Sequence, residues 1–242
     1  MAKLLELENV VKRFGGIVAT NGLSFDVEEG ESLALIGPNG AGKTTIFSLI
    51  MGEIRQNEGT IKFRGREISR LATHQRIQRG ISRTYQVPRP FADMDVAGNI
   101  RVGMMPDNLW QMLMHGPDLD EELAIALSVG FSEDDLKRTP STLSMGDLRK
   151  LELARTLATN PQIMLLDEVF AGLTVGEIAQ ISELLARKRA EGMTFVIVSH
   201  DLRALEPLVD RAVAMTFGKQ IAEGTFQEVM GDEQVRAAYL GQ

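Results

Sequence analysis

The sequence predicts an α/β protein: a parallel sheet carrying a phosphate-binding loop, antiparallel strands near the N-terminus, and a helical segment inserted before the α/β pattern resumes. Three observations predict it. Residues 32–51 read as buried strand, glycine-rich loop and helix in that order. Residues 87–160 are helical in pattern. From Pro161 onward, apolar runs and amphipathic helices alternate again.

The loop is Gly37-Pro38-Asn39-Gly40-Ala41-Gly42-Lys43-Thr44, a full G-x-x-x-x-G-K-[ST] motif. It follows the apolar run Ser32–Ile36 and opens a helix-like stretch, Thr45 to Met51. Its glycines let the backbone curl until several N–H groups face phosphate oxygens, and the helix start adds partial positive charge. Lys43 is placed to reach the terminal phosphates of a nucleoside triphosphate, and the Thr44 hydroxyl to ligate Mg²⁺.

Short strands are expected at residues 4–11, 23–28 and 59–65, so the first sixty-odd residues read as antiparallel edge strands flanking one α/β unit. The helical segment opens with Val87-Pro88-Arg89-Pro90 and holds Met104, Met105, Met112 and Met114 around the single Trp110. That methionine cluster reads either as core filler or as an adaptable surface for a partner helix. Further on, Ile163–Leu166 and Thr194–Val198 are buried strands, and Gly176–Glu191 is a helix with Ile178, Ile181, Leu184 and Leu185 on one face. A hairpin follows around Gly218, and Gln227–Leu240 reads as a helical tail.

Composition narrows the function classes. The chain has 242 residues, a net charge of −7 and no cysteine. Disulfides and thiolate metal sites are excluded, and a broad nucleic-acid surface is not expected. The N-terminus has no long apolar stretch, and no window approaches the roughly 18 apolar residues of a membrane span. A cytosolic protein that serves a membrane, if at all, by docking to another chain is the expectation.

Chemistry-bearing residues cluster at strand ends. Asp167-Glu168 ends an apolar strand, where acidic groups face the ligand crevice of a parallel sheet. Asp167 is expected to hold Mg²⁺ and Glu168 to polarise a water against the γ-phosphate. His200, two residues past the next strand, is expected to hydrogen-bond the γ-phosphate and help hold that water. Gln86 precedes the Pro-rich entry to the helical segment and can ligate Mg²⁺ or the water while sitting on a hinge. Leu143-Ser144-Met145-Gly146-Asp147 precedes an amphipathic helix; Ser144 suits the N-cap, and Ser hydroxyl, Gly146 N–H and helix start together form an anion site.

Together these residues resemble the ABC ATPase family, the nucleotide-binding domains of ATP-binding cassette transporters, over essentially the whole chain. Gly37–Thr44 matches Walker A, Gln86 the Q-loop, Leu143–Asp147 the signature, Ile163–Asp167 Walker B with Glu168 as base, Ala171-Gly172-Leu173-Thr174 the D-loop and His200 the switch histidine. The resemblance implies a RecA-like P-loop NTPase core with a β-subdomain (residues 1–86 and 156–242) and a helical subdomain (87–155). It implies ATP and Mg²⁺ as ligands, with Phe14 stacked on adenine, Gly37 through Thr45 around the phosphates, and Thr44, Gln86 and Asp167 at the metal. It further implies a head-to-tail dimer in which Ser144, Met145, Gly146 and Asp147 of one subunit face the nucleotide held by Lys43 of the other, whether that other is a second copy or a paralogue. Integral membrane permease subunits would press on the groove beside Val87–Phe91, a solute-binding protein outside would act indirectly, and the ATPase would sit on the cytoplasmic face of the membrane.

A finer likeness is to branched-chain amino acid importer ATPases, carried by Arg13–Gly16, Phe91–Ile100, Ala171–Leu173 and Ala238–Gly241. Lipopolysaccharide-export ATPases are similar too, and a nucleotide-gated regulator with little turnover is the other alternative. Soluble ABC ATPases of ribosomes or DNA usually carry two cassettes or a long coiled-coil insert, which this chain lacks. Three departures stand out: Met145 and Asp147 in the signature, Val169-Phe170 after Walker B, and Thr174 in place of Asp or Asn. Asp147 adds an anionic side chain near the trans phosphate and could weaken closure; Val169-Phe170 puts the D-loop entry angle in question; Thr174 can donate a hydrogen bond but carries no charge.

Overall fold

The computed structural model describes residues 2–105 and 118–240. Trp110, Met112, Met114 and Gly241 lie outside them. Strands β1 (Lys3–Phe14) and β2 (Ile17–Glu28) form a long hairpin, with Phe14 opposite Ile17 at its tip. β3 (Ser32–Ile36) runs into the glycine loop and helix α1 (Lys43–Met51). β4 (Glu58–Phe63) and β5 (Arg66–Glu67) pair antiparallel with each other, and β4 pairs with β1. Short α2 (Thr73–Ile77) and β6 (Ile81–Arg83) complete the first part.

Between β6 and β7 (Ile163–Asp167) the described residues hold helices and turns but no strand: α3 (Val96–Met104), α4 (Leu119–Ser128) and α5 (Met145–Leu157). After β7 come α6 (Val175–Ala190), β8 (Thr194–Val198), the short α7 (Leu202–Leu205), the hairpin β9 (Arg211–Thr216) and β10 (Lys219–Gly224), then α8 (Phe226–Gly231) and α9 (Glu233–Leu240). The expected single helical tail is two helices. Asp232 between them is extended, and its carboxylate caps the second by accepting from the Gln234 and Val235 N–H groups.

Two sheets result, ordered β2-β1-β4-β5 and β10-β9-β3-β8-β7-β6. In the second, β9, β3, β8, β7 and β6 are mutually parallel, and β10 adds antiparallel at the edge. The N-terminal strands therefore form a sheet of their own, as the expected antiparallel β-subdomain requires. β3 has β8 on one side and β9 on the other, so both its hydrogen-bonding edges are filled and the early strands pair among themselves.

The strands of the parallel sheet are apolar throughout because both faces are covered. Alternate residues divide between two cores. Leu33, Leu35, Leu165 and Val196 face the side where α1 and the N-terminal sheet pack, meeting Ile46, Phe47, Leu7 and Phe25. Ala34, Ile36, Leu166 and Ile197 face the other side and meet Ile100, Leu151, Ile181 and Phe226. Val169 and Phe170, 0% and 4% exposed, enter this second core. The residues after Walker B that depart from the family thus serve packing.

Candidate functional site

The glycine loop joins the buried end of β3 to α1, wedged between β9 and the β1–β2 hairpin. A Cβ at Gly37 would stand 2.1 Å from the Met215 carbonyl oxygen, and one at Gly42 (φ +107°) 2.4 Å from that of Ala19. Side chains are excluded there by backbone. At Gly40 (φ +77°) nothing lies within 4 Å, so the loop is tight behind and open in front. The Gly37 N–H donates to the Tyr239 hydroxyl of α9 at 2.9 Å, tying the C-terminal helix to the loop.

Lys43 curls back over the loop. Its buried Nζ donates to the carbonyl oxygens of Gly37 (2.6 Å) and Pro38 (3.0 Å). Burial pulls its pKa below the usual lysine value, and the charges of Glu168 and Asp167 oppose that shift. A buried ammonium bonded to two neutral carbonyls, at the mouth of a cradle that a Cβ would fill, suits a polyphosphate.

In front of the loop is a cleft of about 370 Å³. The structure brings together there the loop residues Asn39 through Thr45 with Gln86, Glu168 and His200. These come from β3–α1, the end of β6, the end of β7 and the end of β8, the carboxyl ends of adjacent parallel strands. Ile17 and Val18 close the side. Phe14, expected against an adenine, stands at the hairpin tip next to this wall rather than on it; its half-exposed ring lies 4.9 Å under the Lys12 ammonium.

Glu168 follows β7 in a left-handed conformation, φ +51°. Its N–H bonds the Val198 carbonyl at 2.9 Å. One carboxylate oxygen accepts from the His200 N–H and the other lies 3.2 Å from His200 Nε2. His200 is thus placed against Glu168. Asp167 sits behind the cleft, 2% exposed, with its Oδ2 2.7 Å from the Arg83 guanidinium. Arg83 also reaches Glu53 (3.0 Å) and the Ser48 hydroxyl (3.1 Å), between the rings of Phe47 and Tyr85. Sequence reading missed Arg83. The signal present is its place three residues before Gln86, on a strand whose neighbour ends in Asp167.

Ser144, Met145, Gly146 and Asp147 are not among the residues lining this cleft. Ser144 caps α5, accepting from the Asp147 N–H at 3.0 Å. The anion site at this helix start holds a carboxylate from the chain itself: Glu177 Oε1 accepts from Gly146 N–H (3.0 Å) and lies 3.5 Å from the Ser144 hydroxyl. Its other oxygen accepts from the N–H and hydroxyl of Thr174. These bonds, the Thr174 N–H first, hold the Glu177 pKa below the usual carboxylate range. Glu177 was legible only as the fourth residue of a Thr-x-x-Glu capping box. The negative charge of Asp147 is partly balanced by Lys150 at 3.4 Å and Arg138 at 3.8 Å.

The chain resembles known families and proteins over nearly its whole length. The family profile described as ABC transporter matches residues 20–171, and one described as branched-chain amino acid ATP-binding cassette transporter matches residues 219–242. The high-affinity branched-chain amino acid transport ATP-binding protein LivG of Salmonella typhimurium is 35% identical, covering 99% of this chain and 98% of the relative. The lipopolysaccharide export system ATP-binding protein LptB of Haemophilus influenzae is also 35% identical, with the same coverage. Among solved structures, the ADP conformation of MJ1267, an ATP-binding cassette of an ABC transporter, superposes with a TM-score of 0.89 at 30% identity over 100% of both chains.

Proposed function

The chain belongs to the ABC transporter family as an ATP-hydrolysing, ATP-binding subunit, and on that premise we propose that it drives an importer of branched-chain amino acids or related small polar or amphiphilic solutes. The match over residues 219–242 supports this substrate class. Equal identity to LivG and LptB keeps lipopolysaccharide export as the second reading. No helix among the described residues is long and apolar enough to cross a membrane. Membrane subunits therefore carry the solute in this proposal, with the ATPase docked on their cytoplasmic face. Residues 1–86 and 156–242 act as the ATP-binding core, and 87–155 as the helical subdomain.

The observation that carries the catalytic reading is the cleft in which the glycine loop, Gln86, Glu168 and His200 converge. The loop amides and Lys43 hold the β- and γ-phosphates and offset charge as the γ-phosphoryl group leaves. Glu168 accepts a proton from the attacking water, and His200, already against Glu168, helps align it in line with the bond that breaks. Among the described residues no three His, Asp or Glu side chains gather as a metal cluster. Mg²⁺ typically takes one or two protein carboxylates and other oxygen donors, and the cleft offers the Thr44 hydroxyl and Gln86 in front of the Asp167 carboxylate. Thr44, Asp167 and Gln86 would hold it, and when bound it would supply positive charge that offsets the charge developing on the phosphates.

Ser144 and Gly146 stand outside their own chain's cleft, and in this proposal they exchange the Glu177 carboxylate for the γ-phosphate held by a second subunit, copy or paralogue. ATP would close such a pair and hydrolysis open it. A groove of about 390 Å³, lined by Tyr85, Arg89, Gly103 and Arg155, lies beside the Gln86 hinge where a membrane subunit would press.

Glu168→Gln tests the reading. Phosphate release should fall by about 10²-fold or more, while ATP binding persists and sedimentation shows an ATP-dependent dimer. Unchanged phosphate release would refute the role of Glu168. Uptake of radiolabelled leucine by the reconstituted complex separates import from export.

A further inference from the structure

Arg149 and Glu152 lie one turn apart on α5, the helix capped by Ser144, and are 1% and 7% exposed. Their side chains meet at 2.6 Å. Neither is among the residues lining the nucleotide cleft. A buried ion pair is expensive to desolvate, and apolar residues of similar volume often do as well for stability.

The partners of this pair are specific. Glu152 accepts from the Tyr85 N–H at 2.7 Å. Arg149 Nη1 donates to the Tyr85 carbonyl at 2.8 Å. Arg149 Nη2 donates to the carbonyls of Gln86 (2.9 Å) and Glu168 (3.3 Å). One guanidinium therefore joins three pieces of backbone: the hinge at Gln86, the residue after Walker B, and the helix that begins at the signature. Glu168 is the piece that most needs holding. Its left-handed backbone, φ +51°, is strained for a non-glycine residue, and it is held by β8 through its N–H and by Arg149 through its carbonyl.

We propose that Arg149, braced by Glu152, is a positioning residue for hydrolysis. It fixes the backbone from which the Glu168 carboxylate projects and couples that carboxylate to the Gln86 hinge and to α5. Displacement of α5 relative to β7 carries the Gln86 carbonyl and the Glu168 carbonyl with it. The water-polarising group then reaches its working place only when the signature helix occupies its own. This inference rests on the reading of Glu168 as that group.

Arg149→Lys keeps the charge but loses the fork that spans the Gln86 and Glu168 carbonyls. Glu152→Gln keeps the shape, yet its single carbonyl oxygen cannot accept from both Tyr85 N–H and Arg149. It serves should Arg149→Lys fail to fold. The expected result for each is a kcat lower by about 10- to 100-fold, the cost of a misplacement near 1 Å, with the Kd for a fluorescent ATP analogue within about twofold of the parent. In the Glu168→Gln background the same substitutions should cost nothing further, since residues acting as one unit are non-additive. Loss of nucleotide affinity in parallel with kcat, or full additivity with Glu168→Gln, would reduce Arg149 to a structural prop and overturn the proposal. Parental kcat in both variants, with Glu168→Gln inactive, overturns the positioning role alone. Hydrolysis surviving in Glu168→Gln overturns that role together with the reading of Glu168.

Discussion

Arg83→Met isolates the charge pairing of Asp167. Methionine approximates the arginine stem in volume and can keep contact with the rings of Phe47 and Tyr85, so the main loss is the guanidinium and its bonds. Asp167, with a side chain 3% exposed, loses its cation at 2.7 Å. Glu53, 28% exposed, loses one at 3.0 Å but is wet enough to be re-solvated for less than about 1 kcal/mol. Stranding one member of a buried ion pair costs about 3–5 kcal/mol. At about 2–4 °C per kcal/mol for a chain of this size, the nucleotide-free protein should melt about 6–20 °C lower. Two further measurements separate charge from packing. Asp167→Asn added to Arg83→Met removes the stranded charge and should restore much of the loss. On the proposed role of Asp167 at the metal, saturating MgATP should narrow the gap between parent and Arg83→Met by returning a cation to Asp167. Urea midpoints and thermal melts, with and without MgATP, read all three. A single variant within about 1 kcal/mol of the parent, or a double variant as unstable as the single, would refute the view that Arg83 serves Asp167.

Gly42→Ala should weaken binding of a fluorescent ATP analogue by about 10-fold or more, since relieving a Cβ set 2.4 Å from the Ala19 oxygen must deform the cradle; parental affinity would contradict the wedge described for this loop. Asp135→Asn tests pH linkage. The Ser132 hydroxyl and N–H, with Arg138, hold the Asp135 carboxyl down to about 2. Its folded pKa is below the unfolded one, so the contribution is present above about pH 4 and fades as pH falls toward 2. Parent and variant should differ at neutral pH and converge in acid, with solvent screening keeping the difference small; urea midpoints across that range check it.

The legible parts of this protein share one property: their signals are local in the chain. The glycine loop, the apolar runs of β3, β7 and β8, and acidic or histidine residues just past strand ends need only neighbours in sequence to be recognised. From these alone the α/β class, the phosphate cradle and the meeting of Glu168 and His200 at one end of the sheet could be expected, because parallel strands bring their carboxyl ends together; Gln86 follows β6, a strand of three residues that the apolar pattern does not mark, and only the family resemblance pointed to it. Tertiary structure alone decided which strands pair. The filled edges of β3 sent the N-terminal strands into a sheet of their own. It alone decided the partners of the buried charges as well. Arg83 meets Asp167 across 84 residues of chain, Arg149 meets Tyr85 and Gln86 across more than 60, and Glu177 meets Gly146 across 31. A charged side chain in a sequence carries no mark of whether water or a distant carbonyl will satisfy it. That choice is made when packing removes the water, and only the folded chain records it.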